Sequence, residues 1–309
     1  MIGALIIDKP EGITSHDVVA RVRRATRIRR VGHAGTLDPF ATGVLVCCIG
    51  PATRLVQFLV GLDKEYEATV RLGYATDTQD CTGQRITPLR SSSEASVDDL
   101  RRVLDEFTGP QLQTPPMFSA KKVAGERLYR AAREGRHVER EAVNINVYSI
   151  ELLEDEAPPL TDNDDGTRDF RVRLRCSSGT YVRTIAHDIG EKLGVGAHLA
   201  ALRRTQVGHF SLASALTLDE AEGMRIDELN NALISPSQML SHLPVLVLNE
   251  EDVKRVINGR AVAISEHNST PGEQNAQTIR LCDSKGVLVA VGYSDPVKLL
   301  INPSVVLAT

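Results

Sequence analysis

No apolar run in this 309-residue chain approaches the ~20 residues of a membrane-spanning helix, which excludes a helical membrane anchor. The first residues, Met1-Ile2-Gly3-Ala4-Leu5-Ile6-Ile7-Asp8, lack the basic lead and long apolar core of a secretory signal; they read as a first strand. Cysteine is scarce: five residues, at 47, 48, 81, 176 and 282, an odd number with no CxxC pair. That pattern argues against both a disulfide framework and a zinc site. No glycine-rich phosphate loop and no dinucleotide fingerprint is present, so no cofactor is expected. These absences together predict a cytoplasmic protein without metal. With 42% hydrophobic and 25% charged residues, the chain has the balance of a globular protein and the length for one large domain plus a small one.

The formal net charge of −4 is unpromising for a polyanion binder, but its distribution is uneven. Residues 1–60 hold eight Lys/Arg against four Asp/Glu, and six of those arginines (21, 23, 24, 27, 29, 30) fall within ten residues. Residues 120–140 hold seven Lys/Arg against three Glu. The acids gather elsewhere, with eight of them between Glu151 and Asp169 against Arg168 alone. Such polarity suits contact with phosphate backbones, although arginine runs are as often solvated helix faces.

Periodicity supplies the elements. Thr14 and Asp17 form a capping box before Val18, Val19, Val22 and Ala25 at helical spacing. Tyr66, Ala68, Val70 and Leu72 alternate with Glu65, Glu67, Thr69 and Arg71, which predicts a strand with Tyr66 facing inward. Ser96 and Asp99 box a second helix, and strands follow at about 143–153 and 169–176. The acidic stretch 154–168 between them is rich in Pro, Asp and Gly and is expected to be a flexible loop. Val182, Ile185, Ala186, Ile189 and Leu193 mark a helix with Arg183 in its first turn, where the helix dipole disfavours a cation unless a carboxylate partners it. Residues 111–140, with a proline hinge, Lys121, Tyr129 and a sparse apolar face, read as a basic arm for RNA; a basic amphipathic helix is the alternative. From about 240, short strands around one helix suggest a small β domain, with a hairpin at 279–282 and 287–293.

One segment concentrates chemistry. Gly32-His33-Ala34-Gly35-Thr36-Leu37-Asp38-Pro39-Phe40-Ala41-Thr42-Gly43 sets a single carboxylate among small, turn-forming residues just before an apolar run at 44–49. An Asp-Pro alone is only a turn signal. The whole string, however, resembles the catalytic loop of the TruB family of tRNA pseudouridine synthases. Further ordered strings extend that resemblance over most of residues 3–210: Asp8-Lys9-Pro10-Glu11-Gly12-Ile13-Thr14-Ser15-His16-Asp17, Lys64-Glu65-Tyr66, Pro115-Pro116-Met117-Phe118-Ser119-Ala120, Gly179-Thr180-Tyr181-Val182-Arg183-Thr184 and Leu202-Arg203-Arg204.

The resemblance implies an α/β pseudouridine synthase fold, a mixed and largely antiparallel sheet flanked by helices, over residues 1–235. A small β-rich PUA-like RNA-binding domain over 240–309 would follow, matched by size and position more than by motif. It implies an isomerase that converts the T-loop uridine at tRNA position 55 to pseudouridine after base flipping, with a tRNA-folding role able to coexist. By position, Asp38 matches the essential aspartate, Arg183 the arginine that pairs with it, and Tyr66 the tyrosine that stacks on the base. His33 matches a residue that helps displace the base, and Lys9, Tyr181 and Leu202 match positions lining the pocket. Arg203, Arg204 and Lys121 are expected to contact the RNA. No protein partner is implied, and a stand-alone monomer is expected. A non-catalytic RNA-binding protein, or a synthase guided by a ribonucleoprotein partner, are the alternatives; binding alone would not need the Asp38–Tyr66–Arg183 trio.

Overall fold

The computed structural model of the chain describes residues 1–91, 95–119, 122–123, 126–127, 134, 136, 138–154, 158–263 and 276–307. Most of the basic arm, including Lys121 and Tyr129, lies outside the described residues.

The chain opens with strand β1 (Gly3–Lys9) and helix α1 (Ser15–Thr26). The Thr14–Asp17 capping box forms in both directions, and Val18, Val19 and Val22 bury one helix face. Strands β2 (Val31–His33) and β3 (Thr42–Ile49) flank the Asp38 loop. After β4 (Lys64–Leu72) come α2 (Val97–Glu106), β5 (Gly109–Gln113), β6 (Val143–Leu152) and β7 (Arg168–Cys176). Helix α3 (Val182–Lys192) then leads into β8 (Ala197–Val207), and β9 (Leu216–Thr217) completes the series.

These strands build one large mixed sheet in the order β9-β1-β3-β8-β4-β7-β6-β5. Neighbours pair antiparallel except β9 on β1 and the short parallel contact of β8 with β3. β4 shows the alternation its sequence predicts, every second residue buried, and Tyr66 pairs in register with Leu174 on β7 and Arg204 on β8. The central strand β8 has no sequence signal of that kind. Its even alternation is interrupted by irregular registers near Leu199 and Arg204, and an arginine, Arg204, occupies an inward position.

Within the acidic stretch, Thr161–Asp162 forms a short strand on β7, and Asp165 accepts from both the amide and the hydroxyl of Thr167 at the turn. Asp162 lies 2.7 Å from Arg168, so the acids close a hairpin onto the one cation among them. The arginine run of α1 is also partly neutralised. Arg21 reaches Asp219 and Glu222 at 2.9 and 2.6 Å, and Arg23 donates to the Val31 carbonyl.

The tail forms its own five-stranded sheet with a helix, Glu250–Ile257, beside it. The predicted hairpin is Thr278–Cys282 with Leu288–Asp295, antiparallel. Leu246, Val256, Leu281 and Val289 make its core, while Cys282, Leu288, Val291 and Val305 join a cluster that also contains Ile6, Val46 and Met239. The tail is thereby anchored to the main sheet through apolar contact.

Candidate active site

The Asp38 loop is held from both sides by buried cations that bond its backbone. Arg204, 1% exposed, donates to the carbonyls of Val44, Gly35 and Thr36 at 2.8, 3.1 and 3.3 Å. Lys9, fully buried, donates to Pro10 and Pro39 carbonyls at 2.8 and 3.1 Å. Ser15, in the first turn of α1, exchanges two bonds with Leu37. A loop so fixed presents its one carboxylate with little freedom, which is what positioned chemistry requires. Gly43 makes the clamp possible: its φ of +103° is glycine country, and a Cβ there would lie 2.2 Å from the Arg204 carbonyl oxygen.

Asp38 meets Arg183 from α3. The guanidinium Nε lies 2.9 Å from Asp38 Oδ2, and the Arg183 side chain is 5% exposed against 37% for Asp38. The remaining nitrogens are all used: Nη1 donates to the Thr78 carbonyl at 3.0 Å and lies 3.5 Å from Asp80 Oδ2, and Nη2 donates to the Phe118 carbonyl at 2.8 Å. Gln113 bonds both the amide and the carbonyl of Tyr181, fixing the start of α3. The first-turn cation thus has the carboxylate partner that its unfavourable place in the helix dipole calls for.

Around this pair opens a cleft of about 280 Å³ whose walls include Asp38, Tyr66, Tyr181, Arg183, Leu202 and Arg204. Sites for drug-sized ligands run ~300–1,000 Å³, so this one suits a single nucleobase with its sugar rather than a larger ligand. The lining combines the aromatic and aliphatic side chains of Tyr66, Tyr181 and Leu202 with the Asp38–Arg183 pair.

Family models match along the chain in two consecutive pieces. Residues 23–182 match the TruB family pseudouridylate synthase N-terminal domain, and residues 183–240 the tRNA pseudouridylate synthase B C-terminal domain. The chain belongs to the TruB family. Its relatives include tRNA pseudouridine synthase B of Bacillus velezensis, 40% identical over 99% of this chain and 97% of that protein. The namesake from Opitutus terrae is 51% identical over 75% of this chain and 92% of its own. Among solved structures, a Cbf5-Nop10-Gar1 complex gives a TM-score of 0.69 at 29% identity, covering 95% of this chain and 78% of the matched one. An H/ACA RNP bound to a substrate RNA containing 2′-deoxyuridine gives 0.72 at 26% identity, covering 100% and 86%. TruB enzymes are isomerases acting on tRNA uridine. No helix among the described residues of this TruB protein is long and apolar enough to cross a membrane.

The TruB cleft sets its charges in opposition. Crowding by the cleft walls pushes the Asp38 carboxyl above the usual carboxylate range, and Arg183 pulls it back toward ionisation. Burial raises the Tyr66 phenol, opposed by the nearby Arg204 guanidinium. Burial lowers Lys9 to about 8, against the attraction of Asp38. His33 is pushed down by burial and by His16, whose ring meets it edge-on at 5.5 Å, which favours the neutral imidazole.

Not every residue singled out in the sequence faces the cleft. Arg204 lines it, but its guanidinium holds backbone carbonyls of the Asp38 loop. Arg203 points to the other side of β8 and binds Asp8 at 2.7 Å. Lys9 and His33 flank the loop without forming the cleft wall, and Lys121 lies outside the described residues. Sequence reading passed over Asp80. Its buried carboxylate shares Arg183 with Asp38 and accepts from Thr78 Oγ1, Thr82 Oγ1 and the Thr82 amide. The Thr76-Asp77-Thr78-Gln79-Asp80 run of acids and hydroxyls was the available signal, but nothing local says that it folds onto a helix a hundred residues away.

Proposed function

We propose that this TruB protein converts the T-loop uridine at tRNA position 55 to pseudouridine, with Asp38 acting on a nucleotide flipped out of its stack into the cleft. The observation that carries this is the Asp38–Arg183 pair at 2.9 Å on the wall of a nucleoside-sized cleft that Tyr66 also lines. The isomerisation breaks the C1′–N1 bond, turns the base, forms the C1′–C5 bond and moves one proton from C5 to N1. It is redox-neutral, so an ionised carboxylate, a pairing cation and an aromatic wall are a sufficient set. Arg183 keeps Asp38 charged and aimed. Tyr66 offers a stacking face to the base and a hydroxyl for proton transfer. A stacked uridine cannot reach a carboxylate in a cleft, which makes base flipping part of the reading. The neutral His33 beside the loop suits displacing the base. Residues 1–235 carry the catalysis in this reading, and the tail over 240–309 binds RNA as a PUA-like domain.

The test is to incubate the protein with an unmodified tRNA transcript and map pseudouridine. Product at the T-loop uridine for the wild type, and none for Asp38→Asn at an unchanged unfolding midpoint, is the expected result. Full activity in Asp38→Asn, or product at other sites only, overturns it.

A further inference from the structure

Ser119 is 4% exposed, and its Oγ reaches no hydrogen-bond partner among the described residues. Burying a hydroxyl unsatisfied costs about 1–3 kcal/mol, so folded proteins rarely keep one without a use. This one belongs to the wall of the Asp38 cleft. The preceding residue ties it there, because the Phe118 carbonyl accepts from Arg183 Nη2 at 2.8 Å. Ser119 therefore stands one peptide unit from the guanidinium that pairs with Asp38. Several other polar groups of that neighbourhood have partners within the protein. Ser177 Oγ accepts from the Asn146 amide, Thr180 Oγ1 donates to the Ser177 carbonyl, and Lys64 Nζ donates to the Val60 and Leu62 carbonyls. Among the described residues, Ser119 Oγ is the one fully buried side-chain polar atom of the cleft lining without a hydrogen-bond partner.

We propose that the Ser119 hydroxyl hydrogen-bonds a ring carbonyl of the flipped uracil and so fixes the orientation of the base against Asp38. The proposal rests on the reading of the cleft given above. Among the described residues nothing holds the hydroxyl, so turning it toward the base about χ1 breaks no bond, and the bond made replaces one the base lost on leaving water. A uracil ring offers two carbonyl acceptors and no charge, which matches a single neutral donor in a low-dielectric wall better than a phosphate does.

Ser119→Ala should lower kcat/KM for an unmodified tRNA transcript by about 5- to 150-fold, the range of one hydrogen bond to a buried group at 1.4 kcal/mol per decade. The same variant should unfold at an unchanged or higher urea midpoint, because it removes an unsatisfied hydroxyl and no internal bond. That opposition of signs separates the proposal from a scaffolding role, in which activity and stability fall together. Ser119→Thr, which keeps the hydroxyl, should recover more of the rate than Ser119→Ala. On transcripts carrying 2-thiouridine or 4-thiouridine at the target, where the thiocarbonyl accepts poorly, the cost of one of the two should vanish in Ser119→Ala. Undiminished kcat/KM in Ser119→Ala, a joint loss of activity and stability, or full additivity with both thio substrates overturns the assignment. A wild type that forms no pseudouridine, or an active Asp38→Asn, would instead overturn the underlying reading.

Discussion

Replacing Arg183 with methionine (R183M) tests the centre of the site, because the unbranched apolar chain keeps the packing of the arginine stem and removes the charged guanidinium. Four contacts go: to Asp38 at 2.9 Å, to Asp80 at 3.5 Å, and to the carbonyls of Thr78 and Phe118 at 3.0 and 2.8 Å. Asp80, with a 5% exposed side chain, is left as a buried charge without its cation. Breaking one side of a buried pair costs about 3–5 kcal/mol. Asp38 is 37% exposed and water screens its share, which places the expected loss near the lower end, about 3 kcal/mol. The variant should also move the pH dependence. Asp38 already titrates above the usual range because the cleft walls desolvate it, with Arg183 as the opposing pull. Without that pull its pKa rises further, so the acid limb of pseudouridine formation moves to higher pH. For stability the sign follows from linkage. A group whose folded pKa lies above its unfolded one contributes stability at low pH and loses it as pH rises through the folded value. The R183M deficit should therefore shrink as the pH is lowered through the raised folded pKa of Asp38 toward the ordinary carboxylate range. Urea unfolding at several pH values, read with the pH profile of single-turnover product formation, measures both. Arg183→Lys, which restores charge without the planar fork, should recover stability more than rate. A cost below ~1 kcal/mol with an unmoved acid limb would refute the pairing as the organising contact of the site.

Two further outcomes follow from the same geometry. Gly43→Ala drives a Cβ to 2.2 Å from the Arg204 carbonyl oxygen at a φ of +103°. It should cost about 3 kcal/mol or more and release the Asp38 loop, seen as lower urea midpoint and lost activity; a near-neutral change would refute the close approach of β3 and β8. In the native protein an aromatic disulfide reagent should modify Cys81 alone, since Cys47, Cys48, Cys176 and Cys282 are buried and burial lifts the Cys48 thiol to about 12. All five should react once the chain is unfolded, and a second fast thiol in the native state would contradict the burial of Cys47, Cys48, Cys176 or Cys282.

Where a signal is local, the sequence carries it well. The Thr14 and Ser96 capping boxes, the alternation of β4, and the tail hairpin are each set by residues within a few positions of one another, and all form as read. β8 was illegible for the opposite reason. It is a central strand with a buried arginine and irregular registers, and its membership of the sheet is decided by β3 and β4, far away in the chain. Within the acidic stretch, the pairing of Thr161–Asp162 with β7 is set by a strand that composition cannot see.

Sequence by itself determined the family, the helix and strand faces, and the one loop in which a carboxylate could be displayed. Local patterning suffices there, because caps, turns and alternation act over a few residues. Tertiary structure decided what each charge does. Arg204 and Lys9 are cations in the sequence alike with Arg203, but the fold turns the first two onto the carbonyls of the Asp38 loop and the third onto Asp8. Asp80 joins Arg183 across more than a hundred residues, and Ser119 becomes a buried hydroxyl without a partner only when its cleft exists. Hydrogen bonds and desolvation act over a few ångströms of space, and which residues share those ångströms is fixed by the pairing of distant strands.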